Sequence, residues 1–448
     1  MKGKTWNPFQ LILLVYLAAM LLFSALLYIP AFHEPGITLS YRDALFTSVS
    51  AVSVTGLVTI DVIETFNWAG VFVLALAIQV GGIGIMTLGT FAWLVLGRKI
   101  NLAQRLLIMV DQNRVQNQLA GLVKLMRNLL FVALLFEGIG AIILGMYYLR
   151  FFDSTMEAYI QGAFAALSAF TNAGFDLTGQ SLIPFAGDYF VQLITILLIF
   201  AGSIGFPVLL ECIEYIKQRG HNFRFSLFTK LTTSTYFIVF VIGVAGIWFL
   251  EKDFAFAGMN WHEQLSQSIF NSATTRSAGL TTMDISQLQI PALLFMSSLM
   301  VIGASPSSVG GGIRTTTLAV MFLTLRSFAL GKRDVKVFGR QIHRDDQQKS
   351  FIVLSIFTAM LFAALILVMA FEQGRGIPLI AVFFEIASAF GTCGLSVGIT
   401  PDLTFPSQVV LMVLMFVGRV GIVAVLFSFR AKEQHSHYKY PTERIIIG

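Results

Sequence analysis

The chain has 448 residues, of which 56% are hydrophobic and only 12% are charged, and its formal net charge is +6. Because soluble globular domains carry about 25% charged residues, this chain cannot cover its surface with polar groups and belongs in a lipid bilayer. The composition excludes a cytosolic enzyme, a secreted disulfide scaffold and a disordered regulator. The two cysteines, Cys212 and Cys393, lie far apart in apolar segments and predict no disulfide framework.

A membrane-spanning helix needs about 20 mostly apolar residues, and the chain contains eight such runs. In chain order they are 8–30, 68–96, 122–149, 188–216, 227–250, 290–328, 351–371 and 405–429. The sixth run is too long for one straight helix, and its glycines and Pro306 break it. We therefore expect eight transmembrane helices, the sixth of them interrupted.

The basic residues predict the orientation of these helices. With an even number of spans both termini lie on one side, and 23 of the 30 Lys and Arg residues fall there. Arg314 and Arg419, deep within apolar runs, are assigned to neither side, and five fall on the other side, namely Arg42, Arg150, Lys252, Arg276 and Arg375. By the positive-inside rule, we expect a multi-pass plasma-membrane protein with both termini in the cytoplasm. The excess of positive charge then reflects orientation and attraction to anionic membrane lipids, and we expect no nucleic-acid partner.

A short segment that ends in glycine occurs four times, each time between two spans on the outer side. Its glycines are Gly56, Gly174, Gly279 and Gly394, and each is followed by Leu or Phe. Such a repeat is a stronger guide to fold than local propensity. We expect an all-α membrane protein of four repeats, each a helix, a re-entrant pore loop and a helix, around a central pore. The repeats are assigned to 1–97, 98–217, 218–335 and 336–430, and a cytoplasmic tail to 431–448.

The four short segments predict an ion filter. Each has about a dozen residues, too few to cross roughly 30 Å of hydrocarbon, so it should enter as a helix and return as extended backbone. Carbonyls around one axis can replace the hydration shell of a potassium ion. One copy alone would favour helix packing by small residues, but four copies in register favour a filter. Its positions are Val54, Thr55, Gly56, Asn172, Ala173, Gly174, Ser277, Ala278, Gly279, Thr392, Cys393 and Gly394.

Several motifs resemble those of the Trk/Ktr/HKT superfamily of potassium transporters, above all the membrane subunit of bacterial Ktr systems. They are DALFT (43–47), VTGL (54–57), FTNAGF (170–175), SAFGTCGL (388–395), QVGGIG (79–84), GASPSS (303–308) and GRVG (418–421). The resemblance covers essentially the whole chain. It implies channel-like uptake of K⁺, often dependent on Na⁺ as an activating ion. It also implies a membrane homodimer on a cytoplasmic ring of nucleotide-binding, RCK-type regulatory subunits, with nucleotide acting only through the regulator.

The interrupted sixth span predicts a gate on the cytoplasmic side of the filter, because its repeat's filter segment precedes it. A simple kink is the alternative, but the density of Ser, Gly and Pro exceeds what a kink needs. Arg419 lies near the middle of the eighth span, where a charge normally faces an interior path. We expect Arg419 to bond to the hydroxyls and carbonyls of Ser305, Ser307 and Ser308 or to the backbone around Gly310. The gate is assigned to Gly303, Ala304, Ser305, Pro306, Ser307, Ser308, Gly310, Gly311, Gly312 and Arg419.

Two acidic residues also lie deep in apolar segments. Glu385 falls in the fourth re-entrant helix, where it could orient the filter or approach Arg276. Glu137 has no partner that the sequence identifies. For both carboxyl groups we expect a structural hydrogen-bonding role.

Two other classes of protein were weighed. A secondary carrier, a sodium or proton symporter, is the nearest alternative, since broken helices at the membrane midplane mark carriers. Four repeats with re-entrant segments on one side favour a channel-like pore instead. An enzyme would need a nucleophile with a base, paired aspartates or a metal cluster, and the sequence contains none of these. We therefore expect no enzymatic activity and no covalent cofactor.

Overall fold

The computed structural model describes residues 7–84, 122–218, 223–429 and Glu443. Within these ranges the regular structure is helical apart from one antiparallel hairpin, in which Lys336–Val337 pairs with Arg340–Gln341. The end of the predicted second span, the inner segment 98–118 and, except for Glu443, the tail 431–448 lie outside the described residues.

Each repeat begins with a long helix, which we call its first helix. The four first helices are Pro8–Leu27, Leu122–Tyr148, Leu227–Glu251 and Arg344–Phe371. In the described part of the chain, the unbroken helices that are long and apolar enough to cross a bilayer all belong to this set. Polar caps define where two of them start. Asn7 forms a capping box with Gln10, and the Ser226 hydroxyl accepts a hydrogen bond from the Thr229 backbone N–H.

A short helix follows each first helix. The four short helices are Tyr41–Ser53, Thr155–Thr171, Trp261–Thr274 and Leu379–Gly391. They contain 13, 17, 14 and 13 residues, so at about 1.5 Å per residue none reaches across the roughly 30 Å of hydrocarbon. Each is followed by non-helical backbone that leads into the next helix, so each unit is a re-entrant segment between two longer elements.

The second helix is interrupted in repeats 2, 3 and 4, although the sequence predicted an interruption only in the sixth span. In repeat 2, Tyr189–Ser203 and Phe206–Lys217 meet at 103°, and in repeat 4, Phe405–Val420 and Ile422–Ser428 meet at 94°. In repeat 3, Ile290–Val301 and Thr315–Ala329 flank a loop, and in repeat 1, Trp68–Ile83 ends at Gly84. The prediction of continuous helices over 188–216 and 405–429 is therefore wrong.

The same glycine conformation follows three helices. Gly84, Gly205 and Gly421 have φ of 94°, 101° and 93° with ψ of 131°, 130° and 139°, a region that side chains disfavour. The α-helix cannot continue through such a residue, because its φ and ψ lie outside the helical region.

A second glycine, three residues before each of these glycines, allows the second helix to touch its own repeat's short helix. A methyl carbon on any of these glycines would overlap a backbone carbonyl of that short helix. The pairs in contact are Gly81 with Val52, Gly202 with Phe170 and Gly418 with Phe390. The Gly-x-x-Gly spacing was thus present in the sequence as a signal for both the contact and the break.

Burial of side chains is greatest on the short helices and decreases toward the first helices. Phe46, Phe270 and Phe384 on three short helices are fully buried, whereas Phe131 and Phe362 on two first helices are 65% and 58% exposed. Large apolar side chains on the outer faces suit contact with lipid. The fold therefore holds the ends of the short helices at the centre of the protein.

Candidate functional site

After each short helix the chain adopts the same unusual backbone. The residue two positions before each repeat glycine has a left-handed conformation: φ is 58° at Val54, 56° at Asn172, 71° at Ser277 and 46° at Thr392. This region is strained for β-branched residues such as Val54 and Thr392. Such strain persists only where the surroundings enforce it, and it is concentrated at functional sites.

The four repeat glycines meet in a closed order. A methyl carbon built on Gly56 would lie 2.5 Å from the Ala173 carbonyl oxygen, and one on Gly174 would lie 3.1 Å from that of Ala278. A methyl carbon on Gly279 would overlap the Cys393 carbonyl oxygen more closely still, and one on Gly394 would overlap that of Thr55. Each glycine thus packs against the next repeat's carbonyl, and the fourth closes on the first. We call the carbonyls of Thr55, Ala173, Ala278 and Cys393 the carbonyl ring.

The structure brings together eight of the twelve residues assigned to a filter, the four glycines and the four residues of the carbonyl ring. The other four, Val54, Asn172, Ser277 and Thr392, directly precede the ring residues in sequence. The short helices end three residues before the glycine in repeats 1, 2 and 4 and five residues before it in repeat 3. The negative ends of their dipoles therefore lie beside the carbonyl ring, where they favour a cation. Among the described residues, no group of three or more His, Cys, Asp or Glu side chains could hold a metal ion. The ring's own chemistry is that of backbone oxygens.

Glu385 is hydrogen-bonded to the chain just after Gly394. Its carboxylate accepts hydrogen bonds from the hydroxyls of Ser396 and Thr400 and from the Val397 backbone N–H. This is the structural role expected for it. These bonds run along repeat 4, and no ion pair joins Glu385 to Arg276 within the described residues.

Arg276 is fully buried, and its guanidinium donates a hydrogen bond to the Ile302 carbonyl at 3.1 Å. Counting Arg276 among the charges of the outer loops is therefore wrong. Glu137 does have a partner, because the Gln79 side-chain amide donates to its carboxylate at 2.9 Å. Sequence reasoning missed that contact, which joins residues 58 positions apart.

The predicted gate residues 303–312 form a loop that folds back on itself. The Ala304 backbone N–H donates to the Gly311 carbonyl at 3.2 Å, and that of Ile313 donates to the Val301 carbonyl at 3.0 Å. The Arg314 guanidinium also donates to the carbonyls of Ser305 and Gly310. Sequence reasoning did not single out Arg314, although its position inside an apolar run was a signal.

This 303–312 loop lies directly against the glycine segments. A methyl carbon on Gly310 would collide with the side chain of Ser277, and one on Gly311 would collide with that of Thr392. Ser277 and Thr392 are the left-handed residues of repeats 3 and 4. The loop therefore touches the same four-repeat assembly that carries the carbonyl ring.

The loop is also bonded to the helix break of repeat 2. The Ser305 backbone N–H donates to the Ser203 carbonyl at 3.0 Å, and the Val309 N–H donates to the Gly202 carbonyl at 3.2 Å. The Ser203 and Gly202 carbonyls are free to accept these bonds because the helix ends there and leaves its last carbonyls without helical partners.

Arg419 joins the loop to the second helices of repeats 1 and 4. It lies in the last turn of Phe405–Val420 and is 8% exposed. Its guanidinium donates to the carbonyls of Val309, Gly81 and Gly82. The expected contact with the backbone beside Gly310 is present through Val309. Arg419 also precedes a helix break and so does not lie midway along a continuous span.

Arg314 and Arg419 both donate hydrogen bonds to backbone carbonyls of this loop. In the described part of the chain neither forms an ion pair with a carboxylate. Backbone carbonyls compensate both charges instead. The loop is therefore a positively charged element beside a ring of carbonyl oxygens.

Known proteins share both this sequence and this fold. The TrkH family, described as cation transport proteins, matches residues 16–440. The chain is 50% identical to the Ktr system potassium uptake protein D of Bacillus subtilis, over 99% of this chain and 97% of that protein. It is 32% identical to the potassium/sodium uptake protein NtpJ of Enterococcus hirae, over 99% and 98%.

The fold is also similar to the crystal structure of the potassium transporter TrkH from Vibrio parahaemolyticus. The TM-score is 0.75 at 17% identity, covering 96% of this chain and 86% of that one. The matched family and its members consist of transporters and not of enzymes. The chain is therefore a multi-pass membrane protein that belongs to the Trk/Ktr family of potassium transporters, as the membrane subunit.

Proposed function

We propose that this protein carries potassium into the cell through a channel-like pore in which the carbonyl ring is the selectivity filter. The observation that carries the proposal is the closed order of the four glycines and four carbonyls. Carbonyl oxygens replace the water around a dehydrated potassium ion. The printed names of the relatives, a Ktr system potassium uptake protein and a potassium/sodium uptake protein, support the same ion.

We propose that the 303–312 loop is the gate of this pore. Its contacts with Ser277 and Thr392 support an obstruction immediately next to the filter. The guanidinium groups of Arg314 and Arg419 add a positive barrier that repels a departing cation. Opening then requires the loop to leave its bonds with Ser203, Gly202 and Arg419.

We propose the remaining features on the family resemblance and on the distribution of charge. They are activation by Na⁺, a homodimer, both termini in the cytoplasm, and a ring of RCK-type regulatory subunits through which nucleotide acts. Three exposed basic residues lie at the hairpin: Lys332 and Arg333 precede it, and Lys336 is in its first strand. Their charge suits a surface that binds lipid headgroups or a regulator. The repeat boundaries at 97, 217 and 335 stay predictions.

The test is potassium uptake in cells that lack their own potassium uptake systems. We expect expression of this chain with its regulator to restore growth at low external K⁺, and uptake to rise when Na⁺ is added outside. The Gly394→Ala variant, inserted at the same level, serves as the blocked control. Absence of K⁺ uptake under every condition, from a protein inserted at the normal level, would contradict the proposal.

The broken second helices favour a second candidate, a secondary cation carrier. The same protein in proteoliposomes distinguishes the two candidates. A carrier would couple a fixed number of Na⁺ or H⁺ to each K⁺ and could accumulate K⁺ at zero membrane potential. A channel-like pore moves K⁺ only down its own electrochemical gradient.

A further inference from the structure

Two serines in the short helices form hydrogen bonds with the backbone of the carbonyl ring. The Ser50 hydroxyl accepts a hydrogen bond from the Gly56 backbone N–H at 3.0 Å, and the Ser388 hydroxyl accepts one from Gly394 at 3.0 Å. Both serines are fully buried, and each lies six residues before its glycine. The same contact therefore occurs in repeats 1 and 4.

This contact determines the direction of a ring carbonyl. A trans peptide bond is planar, so its N–H and its C=O point in opposite directions. The N–H of Gly56 shares its peptide bond with the carbonyl of Thr55. When Ser50 holds that N–H toward the short helix, the Thr55 carbonyl must turn away from that helix, toward Gly394 of the neighbouring repeat. Ser388 holds the Cys393 carbonyl in the same way.

The other two repeats lack this anchor. Repeat 2 has Ser168 at the corresponding position, but its buried hydroxyl has no hydrogen-bond partner among the described residues. Repeat 3 has Ala273 there, which has no hydroxyl. In the closed order of the ring, Gly394 packs on Thr55, so the two anchored carbonyls are neighbours. The ring thus has one anchored half and one half without this bond.

Resting on the proposed role of the ring as a filter, we propose that Ser50 and Ser388 are positioning residues that set its discrimination between K⁺ and Na⁺. Anchored carbonyls cannot collapse inward around the smaller sodium ion, so dehydrated Na⁺ is coordinated poorly at Thr55 and Cys393. The carbonyls of Ala173 and Ala278 contribute oxygens without this restraint. Selectivity therefore depends mainly on the anchored half.

The test compares three alanine variants of the full chain, expressed with its regulator. Ser50→Ala and Ser388→Ala each remove one anchoring hydrogen bond. Ser168→Ala removes the equivalent hydroxyl of repeat 2, which has no hydrogen-bond partner among the described residues. A hydrogen bond contributes about a fivefold effect on an equilibrium. We expect Ser50→Ala and Ser388→Ala each to lower the K⁺/Na⁺ selectivity ratio by about fivefold, at an unchanged level of folded protein. Ser168→Ala should match the wild type.

A glycine variant in the same experiment separates this inference from the proposed function. If Gly174→Ser alters selectivity while both serine variants behave like Ser168→Ala, the anchoring role is wrong and the filter stands. If Gly174→Ser leaves both potassium affinity and selectivity unchanged, the filter assignment itself fails. An equal loss in all three serine variants would also overturn the anchoring role, because it would reflect general packing. Should Ser50→Ala not fold, Ser388→Ala decides the question alone.

Discussion

The guanidinium of Arg419 donates a hydrogen bond to the carbonyl of Val309, across 110 residues of sequence, and so ties the 303–312 loop to the helix break of repeat 4. Its other terminal nitrogen donates to the carbonyls of Gly81 and Gly82, close to the end of Trp68–Ile83 in repeat 1. A planar guanidinium can hold several carbonyls at once, whereas a lysine ammonium on a flexible stem cannot reproduce that arrangement. Arg419 is thus suited to hold the loop closed.

Replacing Arg419 should raise potassium flux. Arg419→Gln keeps some hydrogen bonding and removes the charge, so we expect a modest increase, and Arg419→Ala, which removes both, should increase flux further. Hydrogen bonds to charged groups contribute about 1.5–3 kcal/mol, so the balance between closed and open loops should shift by about tenfold or more. Uptake rates normalised to membrane protein measure the effect, with the exposed Arg326→Gln as control. Wild-type rates in both variants would place Arg419 outside the ion path.

Shortening the 303–312 loop should also raise flux, since its proposed role is to obstruct the path. Removing 306–308 deletes the part that carries Pro306 and leaves the residues that touch Ser277 and Thr392. Removing 304–311 deletes those contacts as well, so we expect the larger increase there. Uptake in cells and surface labelling of inserted protein measure both. Loss of all uptake by an inserted protein would mean that the loop binds the ion instead of blocking it.

The effect of replacing a ring glycine on potassium uptake should depend on the space available for the added side chain. A methyl carbon on Gly279 or Gly394 would overlap the next carbonyl, whereas one on Gly174 would lie 3.1 Å from it. We therefore expect Gly279→Ala and Gly394→Ala to lose potassium uptake, and Gly174→Ser to lower affinity or selectivity with partial transport. Gly138→Ala, on a first helix with no atom within 4 Å of the added carbon, is the matched control. If the three ring variants show the same uptake kinetics as the Gly138→Ala control, the filter assignment is wrong.

The breaks of the second helices should depend on glycine for stability. Gly421 has φ of 93° but open space around it, so Gly421→Ala isolates the cost of the backbone conformation, about 1–3 kcal/mol. Gly205→Ala adds a contact with the Pro306 carbonyl, at 2.8 Å from the new carbon, and should destabilise more. Melting temperatures in detergent, compared with Gly138→Ala, measure both effects. A Gly421→Ala protein as stable as wild type would show that the break does not require glycine.

Acid should weaken the turn after the first helix of repeat 4 through Glu372. This buried carboxylate accepts hydrogen bonds from the Thr404 backbone N–H at 2.8 Å and from Arg375 at 3.0 Å. Burial acts to raise the pKa of Glu372, but hydrogen bonds from Ser407 and Thr404 and the charge of Arg375 outweigh it and hold the pKa below its ordinary 4.5. The stabilisation is therefore fully present above the ordinary value and is lost as pH falls through the lower, folded pKa.

We expect Glu372→Gln to lower the melting temperature at neutral pH and to flatten its decline in acid. Thermal unfolding in detergent at pH 7 and at pH values below about 4 measures both parts. The neighbouring exposed residue Asp402 provides a control as Asp402→Asn. An acid decline that is as steep in Glu372→Gln as in the wild type would assign it to other carboxylates.

The sequence was sufficient for the class of protein, the four repeats and the glycines at their centre, for local physical reasons. Composition alone requires a bilayer, and a glycine in register four times marks backbone that side chains would forbid. It could also have revealed the broken second helices, since Gly202 and Gly205, followed by Pro207, repeat the spacing of Gly418 and Gly421. Apolar length outweighed that signal in the prediction.

Only the tertiary structure decided which groups face one another. The closed order from Gly56 to Gly394 and the contact of Arg419 with Gly81 join residues from different repeats. The burial of Arg276 likewise depends on how the elements pack. Ser50, Ser168 and Ser388 occupy equivalent positions in the sequence, yet the Ser168 hydroxyl has no partner in the described chain while the other two hold a glycine N–H. Such differences arise because a hydrogen bond depends on tenths of an ångström and on orientation, which packing sets and residue type does not.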